Sequence, residues 1–189
     1  MTRARPTRVE KGDIAVARAA ATLRNHPLTR LAGELSEVAD QPPLLTIASL
    51  TLVAGALARS ARMTGAGARM VAAHMLSTGA KTVVKRAIDR TRPEVLLDGG
   101  GYESGKGRHD ESRFNSFPSG HTAGVVAVAR AIGRDYPAAA LPALAFAAGI
   151  AAVQIPRGKH YVSDIVAGAL IGLAADAAVE AVVRRVSAR

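Results

Sequence analysis

Three short clusters hold the residues able to do chemistry. In Phe117-Pro118-Ser119-Gly120-His121 a polar, glycine-rich loop ends and an apolar stretch begins. Pro118 fixes the approach, Ser119 has the hydroxyl of an N-cap, and Gly120 has no side chain to block a ligand. The free N–H groups of the helix start therefore point at any anion that approaches. His121 places a titratable imidazole beside that anion. Taken alone, the stretch also fits an ordinary capped helix start with a surface histidine.

A second cluster, residues 157–164, reads Arg-Gly-Lys-His-Tyr-Val-Ser-Asp. With His160 at a helix start, Asp164 lies one turn on and can accept the imidazole Nδ1–H, which orients Nε2 as nucleophile or base. The third cluster spans Lys85 to Pro93. Seven positions separate Lys85 from Arg92, so two helical turns bring them to one face, and Pro93 stops the helix. Lysine as a mobile point charge and arginine as a planar fork together suit a phosphate dianion. Arg86 and Arg90 read as a basic helix end facing solvent or lipid headgroups.

These clusters must be held by helices. The 189 residues suffice for one domain with a core; 49% are hydrophobic and only 3% aromatic, an Ala-, Val- and Leu-rich mixture that favours helix over sheet. The absence of cysteine excludes disulfides and thiolate chemistry. A net charge of +10 suggests an anionic partner: nucleic acid, anionic lipid headgroups or a phosphorylated substrate. Nucleic acid has only the charge in its favour, for there are no interleaved aromatics and no recognisable module.

Residues 1–42 form a basic, amphipathic helical preface with Arg3, Arg5, Arg8 and Lys11 at its tip. It suits a membrane surface or the solvated face of a bundle, and it lacks the pattern of a cleaved export signal. Apolar blocks then begin near Leu44, Gly65, Ser119, Ala138 and Val162. A membrane span needs about 20 predominantly apolar residues, with tolerance to about 17, and several blocks sit at or just under that limit. The expected fold is an all-α helical bundle over residues 43–184, a polytopic membrane protein of about five apolar helices. A soluble bundle is the alternative at a mean hydropathy of +0.14. Gly168 and Gly172, spaced as Gly-x-x-x-Gly, would let two helices approach closely. Residues 94–117 form a long polar loop of the functional kind.

Taken together, the clusters resemble a known family. Lys85 followed by six residues and Arg92-Pro93, then Pro118-Ser119-Gly120-His121, then His160 with Asp164 are similar to the tripartite signature of the type 2 phosphatidic acid phosphatase (PAP2) superfamily. In the third motif the family has Ser-Arg, then five residues, then the histidine, and this chain has Val153 and Gln154 in the Ser-Arg places. The resemblance implies that His160 attacks phosphorus and forms a phosphohistidine while Asp164 holds its ring. His121 would protonate the leaving oxygen and then activate water. Lys85, Arg92, Ser119 and the Gly120 amide would hold the phosphoryl oxygens. No metal or other cofactor is implied, and the sequence offers no acidic cluster to build a metal site.

The expected activity is metal-independent hydrolysis of a lipid-linked phosphate such as phosphatidate, phosphatidylglycerophosphate or a polyprenyl (pyro)phosphate, in a multi-pass protein of the bacterial cytoplasmic membrane. The alternative is a non-catalytic lipid-phosphate binder whose third motif is degraded at Gln154. Arg157 either swings toward the phosphate in place of the missing arginine or faces headgroups beside Lys159. The basic N-terminus and all three motifs are expected on one side of the membrane. Lysine and arginine counts would make that side cytoplasmic, whereas the family resemblance implies an outward-facing site.

Overall fold

The computed structural model describes residues 6–107 and 111–188; Arg3 and Arg5 of the basic tip, and residues 108–110 of the polar loop, lie outside them. The preface folds as α1 (Arg8–Ala20) and α2 (Pro27–Ser36), followed by a single 3-10 turn, Glu37–Ala39. Thr7 and Glu10 cap α1 reciprocally, and Pro27 opens α2 where its missing N–H costs nothing. Five long helices follow: α3 (Gln41–Leu57), α4 (Ala61–Ala87), α6 (Gly120–Asp135), α7 (Pro137–Val153) and α8 (Val162–Ser187), with a single short helix, α5 (Pro93–Leu97), between α4 and α6. They begin close to the apolar blocks of the sequence and run up and down. One end of the bundle therefore collects the starts of α3, α6 and α8 with the end of α4.

The connection after α4 departs from expectation. The helix stops at Ala87, not at Pro93, and Ile88–Arg90 forms a strand, β1, paired antiparallel with β2 (Ser104–Lys106) in the register Ile88↔Lys106 and Arg90↔Ser104. The long polar loop is thus folded back as a small ribbon. Lys85 is helical and Arg92 is not, so two helical turns are not what brings them together.

Helix α6 is the axis of the bundle, packed against α4, α7 and α8. Half of its buried residues are alanine, with Ala127, Ala129 and Ala131 in one core cluster with Met70 and Ala73 of α4 and Ala123 against the glycines of α8, and such small residues give close interaxial contact. The Gly168/Gly172 pair acts as the sequence suggested. A Cβ on Gly168 would stand 2.5 Å from the Ser119 carbonyl oxygen, and one on Gly172 would stand 2.6 Å from that of Ala123. Only glycine lets α8 lie this close to the start of α6. The carboxylates of α8 face inward: Asp176 takes two bonds from Arg134, at 2.8 and 2.7 Å, and Glu180 pairs with Arg69. Outward, α3 exposes Leu50, Val53 and Leu57, and α7 exposes Leu141 and Phe146. By length and composition α8 is a candidate membrane span, and α3 and α7 are shorter apolar helices.

Candidate active site

A cavity of about 490 Å³ opens at the collecting end of the bundle. Lys85, Arg92, Gly120, His121 and His160 all line it, so three clusters remote in sequence meet in one place. Two of the expected site residues stand behind the wall. Ser119 is fully buried, its Oγ accepting bonds from the Thr122 N–H and hydroxyl, because the capping role uses the oxygen that was expected to meet phosphate. Asp164 is buried as well.

His160 is oriented differently from the sequence expectation. Its Nδ1 lies 2.8 Å from the Ser116 carbonyl oxygen and 3.8 Å from Asp164 Oδ2, so the carbonyl, not the carboxylate, accepts the Nδ1–H. A carbonyl can only accept, which fixes the proton on Nδ1 and leaves the Nε2 lone pair free. Asp164 acts one step back. It accepts from the Ser116 hydroxyl at 2.6 Å, the Tyr161 N–H at 2.8 Å and Arg90 Nη1 at 2.6 Å. Burial holds His160 below the usual imidazole range, with Arg92 and Lys85 pushing the same way against Asp164. A neutral ring with an unprotonated Nε2 is the form a nucleophile requires.

Arg90 overturns the reading of a solvent-facing helix end. It is buried, stacks 4.3 Å over the Tyr161 ring, and is bonded to Asp164, Asp13 and Ser163. An arginine at this depth is stable only because carboxylates surround it. Asp13 comes from α1, so that part of the preface is docked on the site rather than lying apart on a surface.

His121 faces two further preface carboxylates. Its Nε2 is 3.1 Å from Asp40 Oδ1 and 3.9 Å from Glu37 Oε2 without a hydrogen bond to either, and these contacts become ion pairs only when the ring is protonated, a state that burial opposes and the two carboxylates favour. The ligand atoms of these three residues lie within 4.8 Å of one another, forming the kind of cluster that the sequence did not show. Gln154 is fully buried and turned away from the cavity, donating to Ser36 Oγ and the Ile150 carbonyl. Arg157 lines the cavity instead, held by Ser36 at 2.8 Å and Glu37 at 2.6 Å rather than facing headgroups.

The sequence reading passed over Lys81, though a signal for it exists. His74, Thr78, Lys81 and Lys85 recur at helical spacing on α4 and all line the cavity. Lys81 Nζ would be 2.9 Å from a Cβ on Gly120, so the missing side chain there admits a second ammonium group as well as a ligand. Among the described residues the cavity therefore holds Lys81, Lys85, Arg92, Arg157 and Lys159 around three imidazoles, those of His74, His121 and His160.

This fold and site define a helical protein with a cation-rich cavity at one end of the bundle, into which α4, α6 and the start of α8 bring histidines. The sequence profile of the PAP2 superfamily matches residues 66–187, and the chain belongs to that superfamily. Two curated relatives, lipid A 1-phosphatases of Rhizobium johnstonii and Rhizobium etli, are each 34% identical over 90 residues, 48% of this chain and 36% and 38% of theirs. The match thus spans little more than a third of the length of those relatives. Among solved structures, a transmembrane PAP2-type phosphatidylglycerolphosphate phosphatase from Bacillus subtilis superposes with a TM-score of 0.72 at 20% identity, covering 95% of this chain and 88% of its own. Aquifex aeolicus LpxE gives 0.63 at 20% identity over 88% of this chain and 93% of its own. Both show the same fold.

Proposed function

We propose that this protein is a metal-independent phosphatase acting on a lipid-borne phosphomonoester through a covalent phosphohistidine. The carrying observation is that His160, with Nδ1 pinned and Nε2 free, shares one cation-lined cavity with His121. In the first step His160 Nε2 attacks phosphorus, the N–P bond forms, and the bond from phosphorus to the leaving alcohol breaks as His121 gives that oxygen a proton. In the second step neutral His121 takes a proton from water, the hydroxide attacks phosphorus, and the N–P bond breaks to release inorganic phosphate. Lys85, Arg92, Lys81 and the Gly120 N–H stabilise the charge on the phosphoryl oxygens.

Several observations favour a lipid substrate and a multi-pass arrangement. Helices α3 and α7 carry no charged residue, and the candidate span in α8 is mostly unburied, which suits lipid contact. On α2, Leu28, Leu31 and Leu35 are exposed at helical spacing beside the cavity wall, a face fit for a membrane interface. The relatives at 34% identity are named for a phosphate carried on a lipid. A binder without catalysis would have no use for an oriented imidazole, and Gln154, which motivated that reading, does not face the cavity.

The test is acid- and base-quench trapping of the phosphoenzyme with radiolabelled phosphatidate in detergent. A base-stable, acid-labile label is expected in the unaltered protein and none in His160→Ala. Turnover without any such label would refute the covalent route, and no turnover on phosphatidate, phosphatidylglycerophosphate or a polyprenyl phosphate would refute the lipid phosphatase.

A further inference from the structure

The most heavily bonded buried group near the cavity has no role in the two steps above. Arg90, itself 3% exposed, is held between two buried carboxylates: Asp164 of α8 at 2.6 Å and Asp13 of α1 at 2.8 Å. Asp13 also accepts from the Ser163 N–H at 3.1 Å and from the Ser163 hydroxyl. A Ser163 held in this way fixes the first turn of α8, and that turn carries Asp164 one residue on. From Asp164 the chain of bonds runs through the Ser116 hydroxyl to the Ser116 carbonyl and so to His160 Nδ1. Asp13 lies outside the matched residues 66–187, on a helix that does not itself line the cavity.

We infer that Asp13 is a positioning residue for the nucleophile, acting on His160 through Arg90, Ser163 and Asp164. The inference rests on His160 being the nucleophile. Its physical basis is charge as well as placement. Two carboxylates against one guanidinium leave one negative charge uncompensated in a buried cluster, where few water dipoles screen it. As His160 forms the N–P bond its ring becomes cationic, and that residual charge favours the cation. Removing Asp13 makes the cluster neutral and leaves Arg90 wholly to Asp164. The groups facing His160 are then Lys85 of α4, Arg92 of the ribbon connection and a carboxylate that has given up its surplus charge.

The experiment compares Asp13→Asn, Asp13→Glu and Arg24→Ala with the unaltered protein, in detergent, by kcat and KM across pH on one lipid phosphomonoester and by phosphoenzyme trapping. Arg24 pairs with Asp98 at the surface and anchors the same N-terminal segment without entering the cluster, so it reports mere loosening. Asp13→Asn is expected to lower kcat about tenfold, as outer partners of site histidines do. KM should change less than about twofold, since no phosphate contact is lost. The acid limb of kcat/KM should move down by roughly half a pH unit or more, because the charge that opposed deprotonation is gone. Asp13→Glu should restore the limb, and Arg24→Ala should leave it in place. If Asp13→Asn does not fold, Asp13→Ser takes its place with the same expected shift. An unmoved acid limb overturns the inference even if kcat falls, since a purely structural latch lowers the active fraction without changing the titration. An unaltered protein that turns over without a trapped phosphohistidine overturns the covalent reading, and this inference with it.

Discussion

Gly168→Ala is the sharpest probe of the site because it changes nothing in the chemistry and one distance in the scaffold. The new Cβ would fall 2.5 Å from the Ser119 carbonyl oxygen, whereas ordinary van der Waals contact begins at 3.4 Å, so α8 and the start of α6 must part by about 0.9 Å. Ser119 precedes Gly120 and His121, and Gly168 sits one turn beyond Asp164, so the displacement falls on the separation between the two histidines. A misplacement of about 1 Å costs on the order of 10²-fold in rate, while overpacking of this kind costs about 1–3 kcal/mol in stability. The assay is kcat on a soluble phosphomonoester and on a lipid phosphate, beside thermal unfolding followed by circular dichroism. Gly149→Ala on α7, where a Cβ meets nothing within 4 Å, is the control and should be active and at least as stable. A Gly168→Ala protein that folds and turns over at the unaltered rate would refute the claim that the two imidazoles must stand at a fixed spacing across one phosphoryl group.

Three other outcomes are expected. Because burial holds His160 below its ordinary range, kcat/KM should stay high below about pH 6.5, the ordinary imidazole value. The same sign governs stability: below about pH 6.5 the unfolded chain takes a proton that folded His160 refuses, so thermal stability should decline as pH falls, and a stability that rises on acidification would contradict it. Lys81→Met should raise KM or lower kcat/KM by about tenfold or more through loss of one charge-assisted contact, measured on a phosphomonoester series; an unchanged value would remove Lys81 from the site. Arg157→Ala should reduce kcat by about 10² if this side chain supplies the missing third-motif arginine, and an unchanged rate would show that it serves only to hold α2.

Local chemistry was legible in the sequence and long-range pairing was not. The Ser119 cap and the close approach at Gly168 and Gly172 are properties of a few adjacent residues, and spacing alone revealed them. The Lys85 to Arg92 pairing held for a different reason, since Ile88 and the folded-back Ser104–Lys106 turn the chain into a strand that helix periodicity does not anticipate. Arg90 looked like a surface charge because its partners, Asp13 and Asp164, are more than 70 residues away on either side. No local pattern marks a carboxylate as destined for a remote guanidinium. Asp164 was recognised, but the Ser116 carbonyl that takes its expected bond is a backbone atom that side-chain spacing cannot report.

One wall of the cavity comes from the first forty residues: Glu37 and Asp40 face His121, and Arg157 is tied to Ser36 and Glu37. His121 and His160, the proposed reacting groups, come from the superfamily region, whereas this wall does not. Both imidazoles are thus braced by a leading segment that the superfamily match does not cover, Asp13 behind His160 and Glu37 and Asp40 beside His121, so exchanging that segment between relatives is expected to alter turnover together with substrate admission.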